Sequence, residues 1–278
     1  MDTLDGYTND DDLAIGPLND LGWDVDTVSW RDKTVDWNDF EIVVIRSTWD
    51  YQSEPASFLE VLKKIESSDA LLENTLDIVN WNLDKRYLRD LSEKGVKVVP
   101  TIWDGVYDEV SFGNWLEETG ADEIIVKPTI SATAQHTYRS RAFDPTLVSV
   151  FADCPFLVQP FLKSIVDEGE YSLFYFGGEY SHTILKAPKP KDFRVQEEHG
   201  GIITAVEPTS ELLNAGRVVF DTISPVPLYA RVDLVRDAVG NLAVMELELI
   251  EPALYLRMDP DSPRRFAAAI DGRMKVGN

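Results

Sequence analysis

The chain has 278 residues, 44% of them hydrophobic, so it is long enough to bury a full core and to divide into two or three lobes. Its 49 acidic and 26 basic residues give a net charge of −23, which argues against nucleic acid or an anionic membrane as a partner, because both would be repelled. No apolar run is long enough to cross a bilayer, and the single cysteine, Cys154, allows no internal disulfide and fits a reducing cytoplasm. Acid dispersed over the whole chain suggests a protein kept soluble in high salt.

The amino-terminal quarter carries the pattern of a small α/β lobe. Residues 1–12 are polar and acidic and are expected to be mobile. The pattern then predicts, in chain order, a helix over 13–21, a strand over 23–28, a buried strand over 41–45 and a helix over 55–67. A lobe of this kind normally opens with a strand, and none precedes the first helix, so we expect an abbreviated or wrongly started lobe.

The segment from Arg46 to Tyr51 directly follows the buried strand. Ligands of open α/β sheets bind beyond the carboxyl ends of the strands, which makes this segment a candidate pocket wall. A plain loop, in which Asp50 or Ser53 caps the following helix, explains the same residues about as well. The segment from Glu251 to Tyr255 also adjoins a predicted strand end, so both segments are candidates for the substrate site.

The rest of the chain alternates strands with a few helices. We predict helices over 81–91, 209–220 and 263–270, and strands over 96–100, 123–128, 156–162, 169–176 and 180–186. Gly177-Gly178 predicts a tight hairpin turn between the last two strands. Residues 129–141 are rich in Ser, Thr and Ala, which favours a mobile loop between two strands.

An acidic hairpin near the carboxyl end is the first feature that points to chemistry. A two-residue turn at Val239-Gly240 would fix the register of its strands. That register predicts the apolar pairs Val232–Leu247 and Leu234–Met245 on one face, and the pairs Arg231–Glu248 and Asp233–Glu246 on the other. Opposed side chains lie roughly 5 Å apart, so the three carboxylates would repel one another unless a cation such as Mg²⁺ lies between them. A merely solvated acidic sheet face is the competing interpretation.

Basic residues beside apolar segments are worth attention in so acidic a chain. Lys85, Lys127, Lys186 and Arg231 all fit this description. Any one of them is more commonly structural, because long basic side chains usually extend to water. Together with a carboxylate cluster, they would neutralise a polyphosphate. The sequence has no P-loop, no G-x-G-x-x-G and no G-x-S-x-G motif, and its three histidines lack the spacing of a zinc site.

From about Asp77 onward, these motifs resemble the ATP-grasp superfamily of carboxylate–amine ligases, closest to its glutathione-synthetase-like and RimK-like branch and to the D-cycloserine cyclo-ligase. The resemblance implies that Asp233, Glu246 and Glu248 hold two Mg²⁺ ions. It implies that Lys85 and Lys127 contact phosphates, and that the basic residues Lys186, Arg194 and Arg231 face the phosphates or an acyl-phosphate. It further implies an adenine-binding hinge at Gln159, Phe161 and Leu162, and a ribose contact at Glu170.

The loop 129–139 departs from this family, because it lacks the glycine that related loops usually use to close over the γ-phosphate. The hydroxyls of Ser131, Thr133 and Thr137 would have to serve instead.

The resemblance implies an ATP-grasp fold of mixed α/β and α+β class. Its expected division is a Rossmann-like lobe over 1–78, a lid lobe over 79–160 and a metal-binding lobe over 161–278. The implied function is ATP-dependent, ADP-forming joining of a small carboxylate to an amine or a thiol through an acyl-phosphate, in the cytoplasm, with a homodimer as one option. A regulatory module that binds Mg-ATP without turnover is the alternative that the glycine-free loop favours, and a purely structural acidic hairpin is a weaker one.

Overall fold

The computed structural model describes residues 1–131 and 134–276. Its helices are α1 Ile15–Asp20, α2 Pro55–Glu66, α3 Leu76–Asn82, α4 Tyr87–Glu93, α5 Glu109–Thr119, α6 Val148–Phe151, α7 Ser164–Asp167, α8 Ser210–Phe220 and α9 Ser262–Val276. Its strands are β1 Ile42–Val44, β2 Leu71–Glu73, β3 Ile102–Trp103, β4 Ile124–Pro128, β5 Tyr138–Ser140, β6 Phe156–Pro160, β7 Glu170–Phe176, β8 Glu179–Ala187, β9 Ile202–Ala205, β10 Tyr229–Arg236 and β11 Leu242–Glu248.

Within the described residues the strands form three sheets. One is a parallel pair of β1 and β2, and the other two are antiparallel, with the strand orders β11-β10-β7-β8-β9 and β3-β6-β4-β5. The predicted mixture of α/β and α+β structure is confirmed. No helix in this part of the chain is both long and apolar enough to cross a membrane.

The amino-terminal part of the chain, which was predicted as the first lobe and is called so below, is built around α2 and the β1–β2 pair. The helix begins at Pro55, whose fixed φ suits the first helical position, and it buries Phe58, Leu62 and Ile65 along one stripe. This stripe packs against Ile45 and neighbouring apolar residues. The predicted helix and buried strand are therefore present, although the three residues of β1 are only partly buried.

The strand predicted over 23–28 is wrong. Trp23 instead continues from the end of α1, donating its amide to the Leu18 carbonyl at 3.1 Å and its indole N–H to Asp271 of α9 at 3.4 Å. Its side chain packs on the apolar cluster that includes α9, so packing against a helix replaces pairing with a strand. The polar segment 1–12 is held near its carboxyl end by two ion pairs, Asp10–Arg257 and Asp11–Arg46.

The single helix predicted over 81–91 is two helices, α3 and α4. Between them the Lys85 amide donates to the Thr129 carbonyl at 2.8 Å, and the Asp84 carboxylate accepts from the Arg86 amide at 2.9 Å. These bonds take amides that a continuous helix would use, and they turn Lys85 out of the helical path. The boundary predicted at residue 78 lies within α3, and the division into lobes stays a prediction.

Two buried asparagines join the first lobe to the carboxyl end of β11. The Asn74 amide donates to the carbonyls of Tyr229 and Leu249 at 2.9 and 2.8 Å. The Asn82 amide donates to the Leu247 carbonyl at 2.8 Å, and its oxygen accepts from the Leu249 amide at 2.8 Å. Each side chain satisfies backbone groups that would otherwise be buried without partners.

The five-stranded sheet contains both predicted hairpins. Gly177 and Gly178 connect β7 to β8 at φ of +58° and +98°, left-handed values that a tight turn of this kind requires. The other hairpin, β10–β11, differs from its prediction. Arg236 pairs with Leu242, so the turn is not a two-residue loop at Val239-Gly240, and Leu234 pairs with Val244 and not with Met245.

The changed turn shifts the pairing as far as Leu234, and a β-bulge then restores the predicted register. A register shift between Asp233 and Leu234 leaves Met245 as an extra residue in β11. On the site side of this bulge, Arg231 lies opposite Glu248 and Asp233 opposite Glu246, as predicted.

Several short elements were not predicted, namely β2, β3, β5, β9, α5, α6 and α7. The strand predicted over 96–100 is reduced to a single bridge between Val98 and Val244. The helix α5 does carry local signals: Asp108 accepts from the Ser111 amide at 2.7 Å as its cap, and Gly120 ends it at φ +61°. The helices predicted over 209–220 and 263–270 are present as α8 and the longer α9.

We expect His182 to make the unfolding free energy depend on pH. Its ring stacks on Phe174 at 4.2 Å and bonds to Ser181 and to the Leu254 carbonyl, and burial lowers its pKa from 6.5 to about 4. As the pH falls, His182 therefore takes up a proton in the unfolded chain at a higher pH than in the folded chain, and the free energy of unfolding decreases below about pH 6.5. The expected loss is about 2 kcal/mol between pH 7 and pH 5.

Urea unfolding of the wild type and of His182→Gln at both pH values measures this effect. The variant should lose less stability than the wild type on acidification, because the remaining groups titrate in both proteins. An equal loss in the two proteins would contradict the assignment.

Candidate active site

Three carboxylates converge at the paired ends of β10 and β11. Asp233 is on β10, Glu246 and Glu248 are on β11, and one oxygen from each lies within 4.8 Å of the others. The strand positions explain this convergence, because alternate residues of a strand share a face and Asp233 lies opposite Glu246. This spacing suits a divalent cation with oxygen ligands.

Asp233 is neutralised by two cations of the protein. Arg231 donates to it at 3.0 and 2.9 Å, and the Lys186 ammonium lies 3.2 Å away. Ser172, its neighbour on β7, donates a further hydrogen bond at 2.5 Å. Burial acts to raise the pKa of Asp233, but the two cations outweigh burial and lower it to about 2. Asp233 is therefore ionised at neutral pH.

The same cations hold two further carboxylates. Lys186 lies opposite Glu170 in the β7–β8 pair and contacts its carboxylate at 2.5 Å. Arg231 also donates to Glu248. Burial raises the pKa of Glu170, and the charge of Lys186 only partly offsets it. Burial, assisted by the negative charge of neighbouring carboxylates, raises the pKa of Glu248 to about 7 in spite of Arg231. An added cation would relieve this excess of negative charge.

Two lysines approach the cluster from the other side of the cleft. The Lys85 ammonium contacts Glu246 at 2.9 Å and donates to the Ser131 carbonyl at 2.7 Å. Lys127, on β4, is buried, and none of the described carboxylates lies within 4.0 Å of its ammonium. Burial lowers the pKa of Lys127, whereas Lys85 and Lys127 together lower the pKa of Glu246 against the opposing effect of burial. The Lys127 ammonium lacks a counter-ion that a phosphate could supply.

The two antiparallel sheets and the first lobe all contribute residues to one cleft. Of the residues predicted for the site, the cleft is lined by Lys85, Lys127, Ser131, Gln159, Leu162, Glu170, Lys186, Arg194, Arg231, Asp233, Glu246 and Glu248. Thr133 lies outside the described residues. The arrangement thus brings the predicted phosphate-binding and metal-binding side chains to one place.

The predicted hinge is only partly available to a ligand. Phe161 does not line the cleft: its amide donates to the Glu123 carbonyl at 2.9 Å, and its ring stacks under the Arg139 guanidinium at 3.5 Å. Gln159 faces the cleft, with its amide donating to the Thr101 hydroxyl at 3.0 Å, and Leu162 lines the same wall. The Phe161 amide is therefore engaged within the protein and not free to pair with a base.

Arg194 and Ser131 reach the cleft without joining the carboxylate cluster. Arg194 forms a bidentate pair with Asp192, at 3.1 and 2.9 Å, which lowers the pKa of Asp192. The Ser131 hydroxyl donates to the Pro128 carbonyl at 3.3 Å. Both groups would need to change partners to reach a phosphate.

The segment after β1 lines the cleft, as one interpretation of the sequence predicted. Trp49 and Tyr51 face the cleft, and the Trp49 indole donates to the Glu251 carbonyl at 2.8 Å. The alternative, in which Asp50 or Ser53 caps the next helix, is wrong: Glu54 occupies the cap position without a capping side chain, and Asp50 instead bonds to Trp30 and Arg31.

The sequence analysis assigned no role to Asn82, whereas it placed Glu251 in the segment 251–255, where the substrate was expected to bind. Asn82 lines the cleft and clamps β11, and the one available signal was a polar residue on the apolar face of a predicted helix. Glu251 lies three residues beyond Glu248 and is buried. Burial and the neighbouring Glu248 raise its pKa to about 8.

Comparison with known proteins agrees with this geometry. A family model described as the N-terminal domain of the D-cycloserine synthetase DcsG matches residues 1–74. The cycloserine biosynthesis protein DcsG of Streptomyces lavendulae is 33% identical over 275 residues, which is 92% of this chain and 90% of the relative.

Solved structures extend the likeness to the whole fold. The crystal structure of D-cycloserine synthetase DcsG has a TM-score of 0.82 at 28% identity and covers 94% of this chain and 93% of that chain. The ATP-grasp ligase PsnB, solved with a precursor variant, Mg and ADP, shares the fold at a TM-score of 0.67 and 15% identity, covering 94% of each chain.

The resemblance to the ATP-grasp superfamily is confirmed. The alternative of a regulatory module without turnover is not favoured, because the similar proteins are ligases. The chain therefore belongs to the DcsG family of ATP-grasp ligases, enzymes that use ATP to join a carboxylate to an amine with release of ADP.

Proposed function

We propose that the cleft binds Mg-ATP and transfers its γ-phosphoryl group to the carboxylate of a small amino acid, which an amine then converts into an amide. The observation that carries this proposal is the pairing of a three-carboxylate cluster with two buried lysines in one cleft. Phosphoryl transfer needs charge neutralisation and positioning, and it needs no side-chain nucleophile.

The carboxylates of Asp233, Glu246 and Glu248 fit a magnesium site, because each offers an oxygen within 4.8 Å of the others. Magnesium held there would neutralise charge on the β- and γ-phosphates. Arg231 and Lys186 keep Asp233 ionised, and Arg231 also contacts Glu248.

Lys127 and Lys85 would take the phosphate charge. Lys127 lines the cleft, and no described carboxylate contacts its ammonium, so a phosphate oxygen would replace the water that this group loses on burial. Lys85 already shares Glu246 and the Ser131 carbonyl, which links the loop after β4 to the metal-binding carboxylates. Once its guanidinium separates from Asp192, Arg194 would stabilise the phosphoryl group during transfer.

The adenine and ribose would lie along the wall formed by Gln159, Leu162 and Glu170. Lys186 contacts Glu170 and Asp233 together, so it couples the ribose side of the cleft to the metal side. To bind a phosphate, Lys186 would have to give up its contact with one of these two carboxylates.

The relatives' names suggest D-cycloserine as the product. This molecule is a five-membered ring closed by an amide between a carboxyl carbon and a nitrogen on the side-chain oxygen of a D-serine unit. The carboxylate of the open-chain precursor would attack the γ-phosphorus, releasing ADP and forming an acyl-phosphate. The nitrogen would then attack the acyl carbon, the C–O bond to phosphate would break, and the nitrogen would lose a proton. A cytoplasmic location, a homodimer and adaptation to high salt stay predictions.

We expect ADP release to depend on both Mg²⁺ and a substrate carboxylate. The purified protein should be tested with Mg-ATP and a panel of D-serine derivatives that carry nitrogen on the side-chain oxygen, with D-alanine and other amino acids for comparison. ADP, phosphate and amide product should appear in equal amounts. ATP binding without ADP release from any mixture would argue against ligase turnover.

Glu246→Gln is expected to weaken Mg²⁺-dependent ATP binding by about 10- to 100-fold, because it removes a charged ligand from the metal site. Calorimetric titration with Mg-ATP measures this effect. Glu168→Gln is the control, since Glu168 bonds to Tyr171 and Arg236 and does not line the cleft. If Glu246→Gln binds Mg-ATP as tightly as the wild type does, the metal site is contradicted and the carboxylates are a solvated acidic sheet face.

Lys186→Met is expected to lower the free energy of unfolding by about 3 kcal/mol, because it leaves Glu170 and Asp233 buried with one cation fewer. The double variant Lys186→Met, Glu170→Gln should recover part of that loss, since one uncompensated charge is removed with its partner. Urea unfolding of the three proteins measures both effects. A double variant less stable than Lys186→Met would contradict this account of the network.

A further inference from the structure

Glu251 differs from the other buried carboxylates of the chain. Among the described residues, the buried acidic side chains are Glu73, Glu123, Glu170, Asp233 and Glu251, each at most 8% exposed. The first four have a lysine or arginine nitrogen within 4.0 Å. Glu251 has none in the parts of the chain that the structure describes. Buried carboxylates are normally paired, so a cation that binds in the cleft is the missing partner.

The surroundings of Glu251 hold its carboxylate at the wall of the cleft. The Gln52 amide lies 3.4 Å from one of its oxygens, and Trp49 donates to its backbone carbonyl at 2.8 Å. Arg46 donates to the next carbonyl, that of Pro252, at 2.5 Å. The segment after β1 therefore fixes Glu251 from one side, while its carboxylate stays among the residues that line the cleft.

The basic side chains that act on Glu251 or on the backbone beside it are paired with other carboxylates. Arg46 already pairs with Asp11 at 3.0 Å, and Arg231 is shared between Asp233 and Glu248. Lys85 affects the pKa of Glu251 through its charge, but it bonds to Glu246. The nearest basic side chains thus have carboxylates of their own.

We propose that Glu251 binds the ammonium group of an α-amino acid substrate and thereby selects amino acids over simple carboxylic acids. This inference rests on the proposed function, since it places the amino acid in the same cleft as Mg-ATP. An α-amino acid carries its ammonium one carbon from its carboxylate. Anchoring the first group at Glu251 holds the second group near Glu248 and the metal-binding cluster, three residues back along the chain.

A purely structural role for Glu251 makes a different prediction. If Glu251 served only as a neutral, protonated link between the first lobe and β11, glutamine would replace it closely, because the two groups share shape and hydrogen-bonding capacity. Ammonium recognition needs the negative charge, and glutamine would not replace it. Glu251→Gln therefore separates the two roles.

The binding experiment uses two probes that differ in one group. D-cycloserine and its des-amino analogue, isoxazolidin-3-one, are titrated calorimetrically into the wild-type protein, Glu251→Gln and Glu198→Gln. Glu198 also lines the cleft but is exposed, and its variant controls for a general loss of negative charge. Thermal unfolding and Mg-ATP titration establish that each variant is folded and binds nucleotide.

Wild type and Glu198→Gln should prefer D-cycloserine by about 10- to 100-fold, the value of one charge-assisted hydrogen bond, and Glu251→Gln should lose that preference. Equal binding of the two probes by the wild type, no binding of either, or a preference that survives in Glu251→Gln would overturn the inference.

ADP release distinguishes this inference from the ligase proposal. If propionate supports ADP release as well as D-alanine does, and Glu251→Gln changes neither rate, the ligase stands and the role of Glu251 falls. If the binding preference depends on Glu251 but no carboxylate yields ADP, the recognition stands and the ligase chemistry falls.

Discussion

The site depends on one constraint, which is that buried charges must be neutralised by their neighbours. Lys186 and Arg231 both hold Asp233, and each also holds a second carboxylate, Glu170 or Glu248. The strand order β11-β10-β7-β8 makes this possible, because it places the acidic strands and the lysine-bearing strand side by side. The network therefore links the hairpin to the rest of the sheet through charge as well as through backbone hydrogen bonds. Removal of either Lys186 or Arg231 would therefore leave two buried carboxylates with one positive neighbour fewer.

The bulge in the acidic hairpin shows why part of the site could be predicted for the wrong reason. The sequence suggested a two-residue turn, whereas Arg236 pairs with Leu242, which is one residue off the expected register. The extra residue, Met245, restores the register before Asp233 is reached. The predicted pairing of Asp233 with Glu246 is therefore confirmed because two departures cancel. Neither departure could be read locally, since the bulge is a property of the paired strands.

Strong local patterns were predictable, and features set by distant contacts were not. The apolar strand before Lys127 and the glycine turn at Gly177 were read from a few residues, and both are present. The break before α4 was missed because the Lys85 amide bonds to Thr129, more than forty residues away. Phe161 was assigned to the hinge on its motif, whereas the structure gives its amide to Glu123. A motif names the residue type at a position but does not determine the partner of each backbone group.

The cleft has two ionisable groups, one basic and one acidic, that have no oppositely charged partner among the described residues. Lys127 is a buried cation without a carboxylate in contact, and Glu251 is a buried carboxylate without a cation in contact, among the residues that the structure describes. Both feel the charge of Glu246, which belongs to the carboxylate cluster. A nucleotide phosphate bound at Lys127 and a substrate ammonium bound at Glu251 would give each of these two groups a partner of opposite charge. Since isolated buried charges are costly, the cleft is electrostatically complete only when it holds a nucleotide together with an amine-bearing substrate. Binding of each should then favour binding of the other, because each relieves an imbalance that the shared carboxylates transmit.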